Sequence, residues 1–197
     1  MTTTIALTQG KIARVSEEDL EYLLSIGSWC WSNTGYAVHF HRSDDGRRQT
    51  WSMHRLVMAR VLGHPVPTNL VVDHVDHDRL NNTRANLRIA DRSQNQANRS
   101  LNEDSTVGYK GVSPDGYKFR ARIRYDRGHS LHLGEYNDPE LAALVYDAAT
   151  RLLNAEFGHP NFPDRPTPSA AQAILGDRLQ RNPEALAYLK RLGRSLT

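Results

Sequence analysis

The chain has 197 residues, 39% of them hydrophobic, and a mean hydropathy of −0.62. That length suits two compact units or a module with appendages, and no stretch approaches what is needed to span a bilayer. One cysteine, Cys30, excludes a disulfide framework and any multi-cysteine zinc site. The net charge of +3 is unevenly placed: Arg84 to His132 carries ten Lys or Arg against five acids. Such a stripe is the footprint of a polyanion partner, although a solvated surface explains many such runs. The N-terminal MTTTIALTQGKIARV lacks a basic start followed by an apolar run, so a cytosolic location is expected.

Residues 1–64 read as an α/β support region. Ser16 is placed to cap a helix through Ser25 with Leu20, Leu23 and Leu24 on one face. Trp29 to Trp31 and Tyr36 to His41 read as strands around Asn33-Thr34-Gly35, and a turn at Asp44-Asp45-Gly46 leads to a strand ending at Trp51. Met53 to Leu62 repeats Leu56, Val57, Arg60 and Val61 at helical spacing and stops at Gly63. His39, His41 and His64 are assigned structural roles, because no pair has a third ligand at zinc-site spacing; His54 is weighed as a phosphate contact and assigned a hydrogen-bonded structural role, and His77 is kept as a candidate for DNA or metal contact.

The stretch Val71 to Arg99 differs from the rest. Two His, four Asp, five Asn and two Gln surround two short apolar runs, a density of polar ligand types that a small dry core would not call for. Val71 to Val75 is β-branched and of strand length, and Leu87 to Ala90 alternates as a half-buried return strand does. Asn81-Asn82-Thr83 and Asn86 supply turn formers between them. Asp91 or Ser93 is placed to cap a helix on which Asn95, Asn98 and Arg99 share a face. Asp73 offers a carboxylate oxygen and Asn95 an amide oxygen, a sparse pair that suits Mg²⁺ (or Mn²⁺), which keeps its waters and accepts phosphate oxygens. His74 beside them has the pKa range of a general base at neutral pH. Because successive strand residues point to opposite faces, Asp73 and His74 can share a site only at a twisted strand end or edge.

These residues resemble the HNH nucleases, in the HNN variant common in phage and mobile-intron enzymes. The match is carried by Asp73-His74, by Asn86, by Asn95 and by the phrase NLRIADRSQNQANR. MHRLVMARVLG is similar to the helix that precedes the finger in that family. The resemblance implies a ββα-metal finger over residues 65–100. In it His74 is the base, Asp73 and Asn95 hold the metal, and Asn86 braces the loop and orients the His74 ring through a hydrogen bond. The chain departs from the family pattern at His77, which stands where a small residue or Gly is usual.

Residues 101–107 read as a linker, and 108–163 as a second module. Tyr109 to Val112, Lys118 to Tyr125 and Ser130 to Leu133 are strand candidates, separated by turns at Pro114-Asp115-Gly116 and Asp126-Arg127-Gly128. Arg120, Arg122 and Arg124 alternate with Ala121 and Ile123, so three guanidinium groups share a face that repels itself unless an anion lies on it. Asp138 and Pro139 open a helix whose stripe of Leu141, Leu144, Val145, Ala148 and Leu152 covers the sheet. From YKGV through KFRARIR, LHLGEY and AALVYDAA to NFP, this segment resembles the plant Apetala-two / ethylene-response-factor DNA-binding domain. Lys110, Arg122, Arg124, Ser130 and His132 fall where that family contacts DNA, with Arg120 an added cation. Residues 164–197 form a helical tail after the Pro-rich break PDRPTP, with one helix at Ala170 to Leu175 and another at Pro183 to Leu192, capped by Asn182 and closed by Gly193.

The expected fold class is α+β: a nuclease finger followed by a three-stranded antiparallel sheet packed on one helix. The implied function is a Mg²⁺-dependent, site-recognising endonuclease of homing type acting on double-stranded DNA, with one finger per chain, a nick as the default product and a monomer favoured. Two rivals stay open: a DNA-binding regulator with an inactive finger, and a nuclease without sequence preference whose sheet is only a basic grip.

Overall fold

The structure, a computed structural model, describes residues 1–101, 104–126 and 128–195. It is a mixed α+β chain with six α-helices among the described residues and several small, mostly antiparallel sheets. No helix among those residues is long and apolar enough to cross a membrane. The chain divides into two compact units, residues 1–91 and 92–197. The strands expected for the finger over 65–100 lie in the first unit with residues 1–64, and the helix expected for it lies in the second.

The first unit opens with a hairpin that was not among the expected elements, β1 (Thr2–Ala6) and β2 (Ile12–Ser16), paired antiparallel. Its signal is an alternation of Ile5 and Leu7 with Ala13 and Val15, all four buried. Helix α1 (Glu17–Ile26) follows Ser16, but Ser16 makes no capping bond. Its Oγ instead accepts the backbone N–H of Arg84 at 3.0 Å, a tertiary contact that replaces the local one. Strands β3 (Cys30–Trp31), β4 (Ala37–Arg42) and β5 (Arg48–Ser52) form a second sheet. It leads into α2 (Met53–Leu62), ended by Gly63 in the left-handed conformation. Strands β6 (Val71–His74) and β8 (Leu87–Ala90) pair antiparallel, while β7 (Asn81–Asn82) lies parallel to β2. Leu23, Met53, Val57, Val72 and Leu87 pack into one core with the β1–β2 hairpin.

A buried ionic clamp fixes the approach to β8. Asp19 on α1 is fully buried and receives Arg84 through Nε and Nη2, both at 2.7 Å, and Arg60 of α2 through Nε at 2.9 Å. Such a group is stable only while its partners stay.

The second unit begins with α3 (Arg92–Asn98), which packs with the strand Lys118–Tyr125 and the turn Ala155–Phe157. Its sheet comprises β9 (Val112–Asp115), β10 (Lys118–Tyr125) and β11 (His129–Tyr136), antiparallel in the order β11-β10-β9. The first strand lies later than expected, at Val112 rather than Tyr109. Gly111 before it adopts φ +75°, and a Cβ there would meet Tyr146 at 2.0 Å. Of the turn expected at 126–128, Arg127 lies outside the described residues, as do positions 102 and 103 of the expected linker.

Helix α4 (Pro139–Leu153) is capped by Asp138, which accepts the Glu140 N–H at 2.9 Å. It covers the sheet through Ala142, Val145, Ala149 and Leu153. The tail helices α5 (Ser169–Gln180) and α6 (Pro183–Arg191) put Ala171, Leu175, Leu179, Ala185 and Leu189 into the same core. The tail is thus part of the second unit rather than an appendage.

Candidate functional site

Apart from Asp19, the buried polar residues of the first unit gather around the end of β6. Asp73 and His74 are each 5% exposed, Asn82 0% and Asn86 8%. Strand alternation sends the first two apart. His74 stands opposite Leu87 on the side of Val72, whereas Asp73 stands opposite Arg88.

The His74 ring sits among aromatic neighbours, with Tyr36 at 5.9 Å and His54 at 5.3 Å between ring centroids. Its Nε2 lies 3.4 Å from Asn82 Oδ1. This corrects the expected partner, because Asn86 is wholly committed to the loop. Asn86 Nδ2 donates to Asp76 Oδ1 and to the Asn81 carbonyl, both at 2.8 Å, and its Oδ1 accepts the Asp76 N–H at 3.0 Å. Asn82 could not be singled out from the sequence: its two-residue strand is placed by pairing with β2, distant in the chain.

Burial drives the His74 pKa below its usual 6.5, opposed by the Asn82 hydrogen bond and by Asp76, Asp73 and Asp78. The neutral imidazole is therefore favoured. Its neighbour His54 is pushed to about 3, first by burial and then by the charges of His74 and Arg55, and its Nδ1 is buried without a hydrogen-bond partner. In the loop, burial pushes Asp76 up, yet hydrogen bonds from Asn81, the Asp78 N–H and Asn86, with the Arg14 charge, hold it below the usual carboxylate range. His77 adopts φ +67°, a left-handed conformation that costs a side-chain-bearing residue about 1–2 kcal/mol.

Asp73 is not a bare carboxylate. Arg88 reaches its Oδ2 through Nε at 2.8 Å and Nη2 at 2.7 Å. Asn95 lies on α3, half-buried, in the second unit. Among the described residues no group of three or more His, Cys, Asp or Glu is placed to hold a metal ion. Asp73 by itself offers a hard carboxylate oxygen of the kind that suits an ion keeping most of its waters and taking phosphate oxygens.

In the second unit the register puts Arg122 opposite His132, Arg124 opposite Ser130 and Arg120 opposite Glu135. The three Arg residues and His132 are exposed and Ser130 is half-buried. Arg122 Nη2 donates to Ser130 Oγ at 2.7 Å, and Arg120 pairs with Asp115 and lies 4.0 Å from Glu135. The expected self-repulsion of this face is thus partly relieved by the chain's own acids.

Lys110 is placed unlike the three arginines. Its Nζ donates to the carbonyls of Ala97 (2.5 Å) and His159 (3.5 Å), and burial lowers its pKa to about 8 against the pull of Asp147. It ties the end of α3 to the segment before β9 and is half-buried. Likewise Ser93, a candidate cap, donates to the Asp126 carbonyl at 2.9 Å. Arg84, Arg88 and Lys110 all belong to the basic stripe, which therefore overstates the charge offered to a partner.

Residues 52–97 match a family model described as HNH endonuclease. Over 139 residues, 71% of this chain and 69% of the relative, the sequence is 30% identical to an uncharacterized HNH endonuclease of Acanthamoeba polyphaga mimivirus. The chain belongs to the HNH endonuclease family.

Proposed function

We propose that this protein is a metal-dependent endonuclease that hydrolyses phosphodiester bonds in duplex DNA, with His74 as the general base. The observation that carries the reading is the buried, neutral imidazole held at a strand end with Nε2 against Asn82 Oδ1. In the tautomer with hydrogen on Nε2, Nδ1 carries the lone pair that would take a proton from water. Asp73 and Asn95 would hold Mg²⁺, or Mn²⁺, whose chemistry is to stabilise charge on the reacting phosphate and leaving oxygen. Asn86 supports the loop and so acts through position. Products would carry 5′-phosphate and 3′-hydroxyl ends.

The β9–β11 sheet is proposed as the element that holds DNA in the manner of Apetala-two / ethylene-response-factor domains, through Arg120, Arg122, Arg124, Ser130 and His132. Cations provide affinity there, and only base-edge contacts provide sequence preference. A site-recognising homing role in a phage or mobile element, with one strand cut per finger, follows from the sequence resemblance.

The rival reading, a DNA-binding regulator with an inactive finger, draws on one observation: Asp73 is already neutralised by Arg88. Supercoiled plasmid incubated with pure protein in Mg²⁺ and in EDTA separates the two. Nicking in Mg²⁺ that EDTA stops and His74→Ala lowers by about 10²-fold or more is the expected result; no nicking under any divalent ion leaves the regulator.

A further inference from the structure

Asp73 and Arg88 face each other across the β6–β8 pair, with side chains 5% and 17% exposed, and Arg88 Nε and Nη2 reach Oδ2. The carboxylate assigned to a divalent ion thus already holds a cation. Two physical effects follow from this one contact. A buried carboxylate that loses its counter-cation is strongly disfavoured, so Arg88 stabilises the metal-free protein. The same guanidinium repels any ion on Asp73, at a range and in surroundings where screening is weak. Arg88 does hold the carboxylate in one orientation, but the ordering of a single short side chain is a small term beside repulsion between charges of one and two.

Added negative charge offsets that repulsion, and in the nuclease reading a DNA phosphate supplies it. We propose that Arg88 is the resident counter-cation of Asp73, keeping divalent-ion affinity low in the free protein so that ion and DNA enter as a coupled pair. Each then raises the affinity for the other by the same factor. This inference rests on Asp73 being a metal ligand, as proposed above.

The test is calorimetric titration of Mn²⁺ into the full chain at pH 8 without DNA, for the wild type, Arg88→Met, Arg88→Lys and Asp73→Asn. Arg88→Met is expected to bind at least tenfold more tightly than the wild type, Arg88→Lys to fall between them, and Asp73→Asn to show no binding. Melting reports the same exchange independently of activity: Arg88→Met should melt below the wild type in EDTA and gain more from Mn²⁺. In a His74→Ala background, duplex DNA should raise Mn²⁺ affinity, and raise it less once Arg88→Met is added.

Equal or weaker Mn²⁺ binding by Arg88→Met overturns the inference while leaving Asp73 a ligand. Should that variant fail to fold, Arg88→Lys decides, and affinity equal to the wild type overturns it. Wild-type Mn²⁺ binding by Asp73→Asn would instead remove the ligand assignment itself.

Discussion

The β6–β8 pair of the first unit and the β9–β11 sheet of the second use the same antiparallel device for opposite ends. In the first, Asp73, His74, Asn82 and Asn86 are buried, and each has a defined partner within the unit. In the second, Arg120, Arg122, Arg124 and His132 stand on an exposed face. Burial makes a group's orientation and protonation definite, at the cost of stability whenever a partner is removed. Exposure leaves charge available to a polyanion but nearly neutral for the fold. Substitutions in the first region should therefore move chemistry and stability, and those in the second affinity and its salt dependence.

The sharpest break between them is expected at His74. His74→Ala should lower plasmid nicking by about 10²–10⁴-fold, the usual contribution of a general base, with duplex affinity within about twofold of wild type. Because burial pushes its pKa below 6.5, the acid fall in activity should begin below that pH; a fall complete by pH 6.5 would remove the imidazole from this role.

Next in size is the clamp at Asp19. Asp19→Ala leaves Arg84 and Arg60 without their buried partner and should cost roughly 3–5 kcal/mol in urea unfolding. A change well under 1 kcal/mol would show that the clamp does not hold the turn before β8.

Acid should also unfold the first unit through His54. Its folded-state pKa of about 3 lies below the 6.5 of an unhindered imidazole, so the unfolded chain binds the extra proton between those values. Stability is then complete above pH 6.5 and is lost as pH falls toward 3, by an amount on the order of 4 kcal/mol. His54→Phe should remove that part of the pH dependence, readable from denaturation midpoints across the range.

The second unit should respond differently. Arg122→Ala or Arg124→Ala should weaken duplex binding and flatten the dependence on log salt by about one unit for each phosphate the side chain had neutralised. Arg120→Ala should do less, since that side chain is paired with Asp115. Lys110→Ala should leave the salt slope alone and lower the melting temperature, because its Nζ is spent on carbonyls. A changed slope for Lys110→Ala would blur the comparison between buried and exposed cations. Smallest of all is His77→Gly: relief of the φ +67° strain and the greater freedom of an unfolded Gly nearly cancel, leaving stability within about 1 kcal/mol.

Much of this molecule is legible in its residues. Period-two patterns place β6, β8 and β10, the Asp138-Pro139 start places α4, and Asp73, His74 and Asn86 stand out by residue type and spacing. Each of those signals is local, decided by neighbours within a few positions. The N-terminal hairpin carries such a signal too, but a weak one, because Ala13 is small and polar residues fill the turn between its strands.

What the chain order could not decide were the partners chosen by tertiary packing. Ser16 serves Arg84 rather than its own helix, Asn82 rather than Asn86 meets His74, Arg88 neutralises Asp73, and Lys110 turns inward to Ala97. Residue type by itself sets what a side chain can bond to. Which bond is made depends on the groups that packing brings within about 3 Å of a buried polar atom, since an atom cut off from water must take the partner that the fold delivers.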